Sequence, residues 1–310
     1  MLSLIVPCYN EEGNVKKFFD ETNKAFEGTV ADYEFVFVND GSRDSTYQKL
    51  KEIYESSSDN VQVLSFSRNF GKESAIYAGL SHAKGDRVCL IDADLQQRPE
   101  VVLEMLEVMK ANPTLDCVTA YQEKRKEGGL ISAVKSLFYK IINKMSDVPF
   151  VNGASDFRLL NRNMVEALLQ MSEYHRFSKG LFSYVGFNTA YIPYQVAERE
   201  SGESKWGVKK LFKYAIEGIM SFSTAPLKIP TYLGALSILS SIIYFAVSLI
   251  RHIAFSAWLT GTTAIITLLL FLSGIHLLCL GILGEYIAKL HVQSKNRPIF
   301  ILKDHLKKDK

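Results

Sequence analysis

The chain has 310 residues, 47% of them hydrophobic, enough for one large domain or two smaller ones around a proper core. Its 36 Lys and Arg against 33 Asp and Glu leave a net charge of +3, which is not the footprint of a dedicated nucleic-acid binder. Four scattered cysteines without a C-x-x-C pair, and six histidines without H-E-x-x-H spacing, speak against a disulfide framework or a zinc site.

The first apolar run, "LSLIVP" at residues 2–7, is too short for the core of a cleaved signal peptide and reads as a strand. A polar turn follows it, and then a helix beginning near Gly13. "YEFVFVNDGSRDST" repeats that grammar: a strand over 35–38, a turn at 39–42, and a helix capped by Asp44 or Ser45. "VQVLSFSRNFG" is a third strand, with Gly71 at the turn before the helix of "KESAIYAGLSHA". "DRVCLIDADLQQRPE" is the fourth. Strands alternating with helices predict an α/β, Rossmann-like, parallel doubly wound sheet whose ligands bind beyond the carboxyl ends of the strands. The polar clusters at 7–12, 39–42, 68–72 and 92–96 all lie at those ends and are expected to face one crevice.

Within the fourth unit, "CLIDADLQQRP" runs from a buried strand straight into Asp92 and Asp94. In extended backbone, side chains two apart share a face, so Asp92, Asp94 and Gln96 are expected to converge, and three oxygen donors suit Mg2+ or Mn2+. A solvated turn whose aspartate caps the helix near Pro99 is the competing reading, and a D-x-D by itself leaves both open. The G-x-G-x-x-G and G-x-x-x-x-G-K-[ST] patterns are missing, which disfavours a redox dinucleotide enzyme and a P-loop phosphotransferase. A nucleotide diphosphate held through a metal on carboxylates remains.

Further along, "ISAVKSLFYKIINKM" and "WGVKKLFKYAIEGIMSF" each set apolar residues opposite lysines at helical spacing. The first fits a membrane-interface helix and an ordinary surface helix equally; the second leads into a span and reads as interfacial. Residues 229–250 and 253–284 contain no Asp, Glu, Lys or Arg, and each run exceeds the roughly 20 residues needed to cross a bilayer. Lysines and arginines flank the pair, so both termini are expected in the cytoplasm with a short outer tip. The expected organisation is a cytoplasmic α/β domain over 1–205, a juxtamembrane amphipathic helix over 206–228, a two-helix transmembrane hairpin over 229–288, and a basic cytoplasmic tail over 289–310.

"IVPCYNEE", "VNDGSRDST", "RNFGKESAIYAGLSHAKGD", "DADLQQRPE", "SDFRLLNR" and "ERESGESKWG", in that order and ahead of two apolar spans, resemble the polyprenyl-phosphate glycosyltransferases of glycosyltransferase family 2. That branch includes dolichol-phosphate mannose synthase and the bactoprenol glucosyltransferases, and the resemblance runs over nearly the whole chain. It implies a GT-A domain and inverting transfer of a hexose, glucose first, from a UDP-sugar to polyprenyl phosphate, with GlcNAc, galactose, a modified pentose, or mannose from GDP-mannose as the alternatives. Pro7, Tyr9 and Glu11 match the family's nucleotide-cradling turn, and Asp40 the second aspartate of its D-D-G-S turn, which the resemblance implies contacts the uracil or ribose, while Asn39 departs from the first aspartate of the pattern. Arg68 and Lys72 match its R-N-x-G-K segment near the nucleotide. Asp92, Asp94 and Gln96 match its metal-binding D-A-D-L-Q, with Asp94 also carried as catalytic.

A phosphate monoester is already a competent nucleophile near neutral pH, so no strong general base is required. Asp156, which matches the family's catalytic position, is read as a base or a sugar-positioning carboxylate, with a helix cap or a partner for Arg158 as the structural alternative. The acceptor phosphate calls for cations. Arg125, Lys135, Arg199 and Lys205 are the candidates, the last two in a loop resembling the family's R-x-x-G-x-S-K. The membrane, a homo-oligomer and a lipid-sugar flippase are the expected associates, with no nucleic acid. A processive polysaccharide synthase would carry Q-x-x-R-W and more membrane helices, and a non-catalytic adaptor would not retain Asp92, Asp94 and Gln96.

Overall fold

The computed structural model describes residues 1–57, 60–122, 154–174, 176–195, 225–255 and 261–308. Arg125, Lys135, Arg199 and Lys205, together with both amphipathic segments, lie outside the described residues.

Strand and helix alternate as the sequence predicts through β1 (Leu2–Cys8), α1 (Val15–Phe26), β2 (Tyr33–Asn39), α2 (Thr46–Ser56), β3 (Val61–Phe66), α3 (Lys72–His82), β4 (Arg87–Leu90) and α4 (Glu100–Ala111). After β5 (Cys117–Gln122) come β6 (Ala154–Asn161), α5 (Arg162–Gln170), α6 (Ser178–Tyr184) and β7 (Thr189–Tyr194). Central strands are apolar on both faces because both are covered. Leu4, Val6, Phe35 and Phe37 pack with α1, α2 and α4, whereas Ile5, Val36 and Val38 pack with α3, α5 and α6.

The sheet is mixed, not wholly parallel. Its order is β7-β5-β6-β4-β1-β2-β3-β8, with β1, β2, β3 and β4 parallel, and β6 antiparallel to both β4 and β5. The strand–helix grammar holds only as far as α4. β5 then lies one place beyond the neighbour of β4, and β6 returns in the opposite direction to fill the gap between them.

Two long helices, α7 (Ala225–Phe255) and α8 (Gly261–Ser294), cover the expected hairpin. Among the described residues, one stretch, Phe271–Ser294, is long and apolar enough to cross a membrane, and none of it is buried. Within the expected basic tail, β8 (Leu302–Leu306) pairs antiparallel with β3. Phe300 stacks on Phe66 at 5.1 Å between ring centroids, and Lys308 Nζ donates to the Ser57 carbonyl at 2.6 Å. The segment after α8 therefore returns to the main sheet and covers what would otherwise be an open edge.

Candidate active site

Parallel strands bring their carboxyl ends to one edge of the sheet, and the turns there are laced together. Asn10, which has a φ of 55°, accepts from the Arg43 amide at 2.9 Å, while its own amide donates to Ser42 Oγ at 3.1 Å. Glu11, at the end of the expected nucleotide-cradling turn, accepts from Asn14 Nδ2 at 2.7 Å, and its amide donates to Thr46 Oγ1 at 2.8 Å. Pro7 and Tyr9 are half-buried beside it.

Asp40 has a structural duty that its motif does not reveal. It is 3% exposed, and its carboxylate accepts from the Phe70 amide at 2.6 Å and the Gly71 amide at 3.0 Å. Burial pushes its pKa up to about 6, against the opposing pull of those two amides and of Arg68. It therefore pins the 68–71 loop across the end of β2. Arg68 is exposed and lies over the Phe70 ring at 4.0 Å.

Beyond that loop three charged residues meet. Lys72 Nζ, at the start of α3, lies 2.7 Å from Asp92 Oδ1, 2.9 Å from Asp92 Oδ2 and 3.5 Å from Asp156 Oδ2. The sheet register explains the encounter: the antiparallel β4–β6 ladder ends with Leu90 paired to Arg158, so Asp92, two residues past the end of β4, and Asp156, two residues before Arg158, leave the same end of the ladder. Burial opposes charge on both partners. Even so, Asp92 and Asp156 hold the Lys72 ammonium above its ordinary pKa, and Lys72, Lys179 and Arg158 hold the Asp156 carboxyl below its own. As for the alternative of a simple partnership with Arg158, that guanidinium is buried over the Phe182 ring at 4.3 Å, and its Nε donates to the Ser155 carbonyl.

The premise that Asp92, Asp94 and Gln96 lie along extended backbone does not hold. β4 ends at Leu90 and the chain turns, with Leu95 at a φ of 59°. Gln96 offers its backbone amide to Asp94 Oδ1 at 3.2 Å. Gln97 is the glutamine against Asp92: its Oε1 accepts from the Asp92 amide at 2.9 Å and its Nε2 donates to Asp92 Oδ2 at 3.3 Å. No sequence periodicity separates these two glutamines.

Among the described residues no cluster of three or more His, Cys, Asp or Glu side chains is arranged to hold a metal. Asp92 and Asp94 nevertheless fit Mg2+ or Mn2+ chemically, since Mg2+ commonly takes one or two carboxylates and completes its shell with substrate phosphates and water. Lys72 resting against both Asp92 oxygens shows that this carboxylate already attracts a cation.

Glu73, Tyr194 and Lys179 are given no role by the sequence reading, although Glu73 lies within the quoted "RNFGKESAIYAGLSHAKGD" segment. Tyr194, at the end of β7, is buried, and burial together with the negative charges of Asp92 and Asp94 raises its pKa. Glu73 accepts both the amide and the hydroxyl of Ser178 on Oε2, the amide at 2.9 Å. Burial first, and Asp156 in addition, push its pKa up to about 7 against the pull of Ser178 and Arg176. Because its folded pKa lies above the ordinary 4.5, its stabilising contribution is full below the ordinary value and is lost as pH rises through about 7. Glu73→Gln is accordingly expected to raise the melting temperature at about pH 8 and to leave it little changed at about pH 5, as thermal denaturation in detergent at both pH values would show.

Residues 3–169 match the model of glycosyl transferase family 2, and residues 225–290 match that of the GtrB C-terminal hairpin. With its GT-A-like mixed sheet, the chain belongs to glycosyltransferase family 2 and is a glycosyltransferase. It is 40% identical to CsbB of Bacillus subtilis, a protein named for glycosyltransferase activity, over 98% of this chain and 92% of that one. The Bactoprenol glucosyl transferase of Shigella phage SfV is 39% identical over 99% of each chain, and its counterpart from phage SfII is 39% identical over 97% of each.

Proposed function

We propose that this chain transfers a hexose, glucose first among the candidates, from a UDP-sugar to a polyprenyl phosphate at the cytoplasmic face of a membrane. The observation that carries the reading is the meeting of Lys72, Asp92 and Asp156 at the carboxyl edge of the sheet. Likeness over almost the whole chain to proteins named bactoprenol glucosyl transferase supports the donor sugar and the lipid acceptor.

Mg2+ or Mn2+ bound by Asp92 and Asp94, with Gln96 as a further oxygen donor, would stabilise as a Lewis acid the charge gathering on the departing nucleoside diphosphate. Lys72 holds Asp92 and Asp156 together and adds positive charge beside the donor. Pro7, Tyr9 and Glu11 form the wall for the base, with Asp40 and Arg68 shaping the adjoining loop. Asp156, kept ionised at neutral pH by its cations, positions the sugar and balances positive charge at the carbon under attack, while the acceptor phosphate acts as nucleophile.

Both helices of the hairpin are read as membrane spans with their outer ends in the cytoplasm. The return of β8 to β3 supports this, because it requires the far end of α8 to lie on the same side as the catalytic sheet.

The test is to incubate the detergent-purified protein with undecaprenyl phosphate and a panel of UDP-sugars and GDP-mannose, with and without Mg2+ or Mn2+, and to weigh the lipid product. One sugar on a lipid monophosphate, lost with chelator, is the expected result. No lipid product from any donor, with UDP still bound, would overturn the acceptor assignment.

A further inference from the structure

Three cations act on the Asp156 carboxyl: Lys72, Lys179 and Arg158. Two of them are engaged elsewhere. Lys72 pairs with Asp92, and Arg158 is buried against Phe182 with its Nε on a backbone carbonyl. Lys179 is half-buried on α6, and its ammonium makes no hydrogen bond or close ion pair among the described residues.

Its position follows from the contacts of its neighbours. Phe182, one helical turn after Lys179, lies under Arg158, and Arg158 shares a face of β6 with Asp156 two residues earlier. The start of α6 is fastened by Ser178 to Glu73, the residue that follows Lys72 on α3. One cation–ring contact and one hydrogen-bonded joint thereby hold α6, and Lys179 with it, against the face of β6 that carries Arg158 and Asp156, and neither uses the charge of Lys179.

A phosphate monoester approaching Asp156 meets a carboxylate of like charge and needs a cation that no protein carboxylate already neutralises at close range. We propose that Lys179 binds the phosphate of the acceptor. The assignment rests on the reading of the acceptor as a lipid phosphate, and it adds a binding residue from the α6 side of the crevice. Lysine suits the task, being a compact point charge on a flexible stem that can follow the phosphate as it becomes the bridging group.

The test uses the full chain in detergent, with initial rates measured against undecaprenyl phosphate at saturating UDP-glucose and UDP affinity measured separately by calorimetry. Lys179→Met is expected to raise the KM for the lipid about 10- to 100-fold, with UDP affinity changed less than about twofold, and Lys179→Arg to recover most of the loss. Lys179→Gln, run alongside, serves if the methionine variant does not fold. A fall in kcat with the lipid KM unchanged would show that Lys179 only neutralises Asp156 and would overturn the assignment. An equal loss of UDP affinity would place it on the donor side and overturn it as well. A wild type that glycosylates no polyprenyl phosphate overturns the proposed function and this inference together, whereas with an active wild type the lipid KM of the variants bears on Lys179 alone.

Discussion

Replacing Lys72 with methionine is expected to lower the rate of sugar transfer by about 10²- to 10³-fold, the usual loss when one preorganised charge is removed from a reacting centre. The side chain is 44% exposed, so its removal leaves no cavity, and a cation in the first turn of a helix opposes the helix dipole. The helix-dipole gain is offset by the loss of the cation shared by Asp92 and Asp156, so stability at neutral pH should fall modestly while activity falls far more. The same substitution takes away the strongest of the charges that keep the Asp156 carboxyl below its ordinary pKa. That pKa then rises, and the acid limb of the pH–rate profile should move to higher pH. Lysine-to-arginine replacement keeps the charge and is expected to restore the limb more fully than the rate, since a planar fork does not fit the two-carboxylate geometry of an ammonium. Profiles of kcat/KM against pH for the three proteins decide the matter; a methionine variant with wild-type rate and an unmoved acid limb would remove Lys72 from the mechanism.

The largest effect on the fold is expected at Gly41. Its φ is 61°, and a Cβ built there would stand 2.3 Å from the Arg68 carbonyl carbon and 2.6 Å from the Asn69 nitrogen, both backbone atoms. Gly41→Ala adds roughly 1–2 kcal/mol for the left-handed conformation and about 1–3 kcal/mol for forcing the loops apart. The 68–71 loop cannot retreat without loosening the amides of Phe70 and Gly71 from Asp40. UDP affinity should fall along with the melting temperature. Gly28→Ala is the control, because Gly28 has a φ of 71° and nothing within 4 Å of the added carbon. It incurs the conformational cost alone. Equal melting temperatures for the two variants would mean that the close approach at Gly41 does not limit stability.

Much of the crevice was legible because its signals are local. An apolar run of six or seven residues followed by a polar turn is readable wherever it occurs, and four such units place four polar clusters on one edge of a sheet. Family motifs marked Lys72, Asp92 and Asp156 individually. Glu73 and Lys179 were invisible because each carries its meaning through a partner distant in the sequence, Glu73 through its hydrogen bonds from Ser178 and Lys179 through its charge acting on the carboxyl of Asp156.

By itself, then, the sequence determined the strand–helix order as far as α4, the turns that carry polar groups, and the long uncharged runs that follow, because propensity and hydrophobic period act over neighbouring residues. Tertiary structure alone decided that β6 runs antiparallel between β4 and β5, and so that Asp156 and Asp92 meet at one end of the β4–β6 ladder with Lys72 against both. It decided that Gln97 and not Gln96 supports Asp92, since the chain leaves β4 after Leu90 and turns, with Leu95 left-handed, and the alternation on which any reading by twos depends is lost there. It also decided that residues 302–306, placed by charge in a tail, close the edge of the sheet, because what they satisfy is the unpaired backbone of β3 more than 200 residues earlier in the chain.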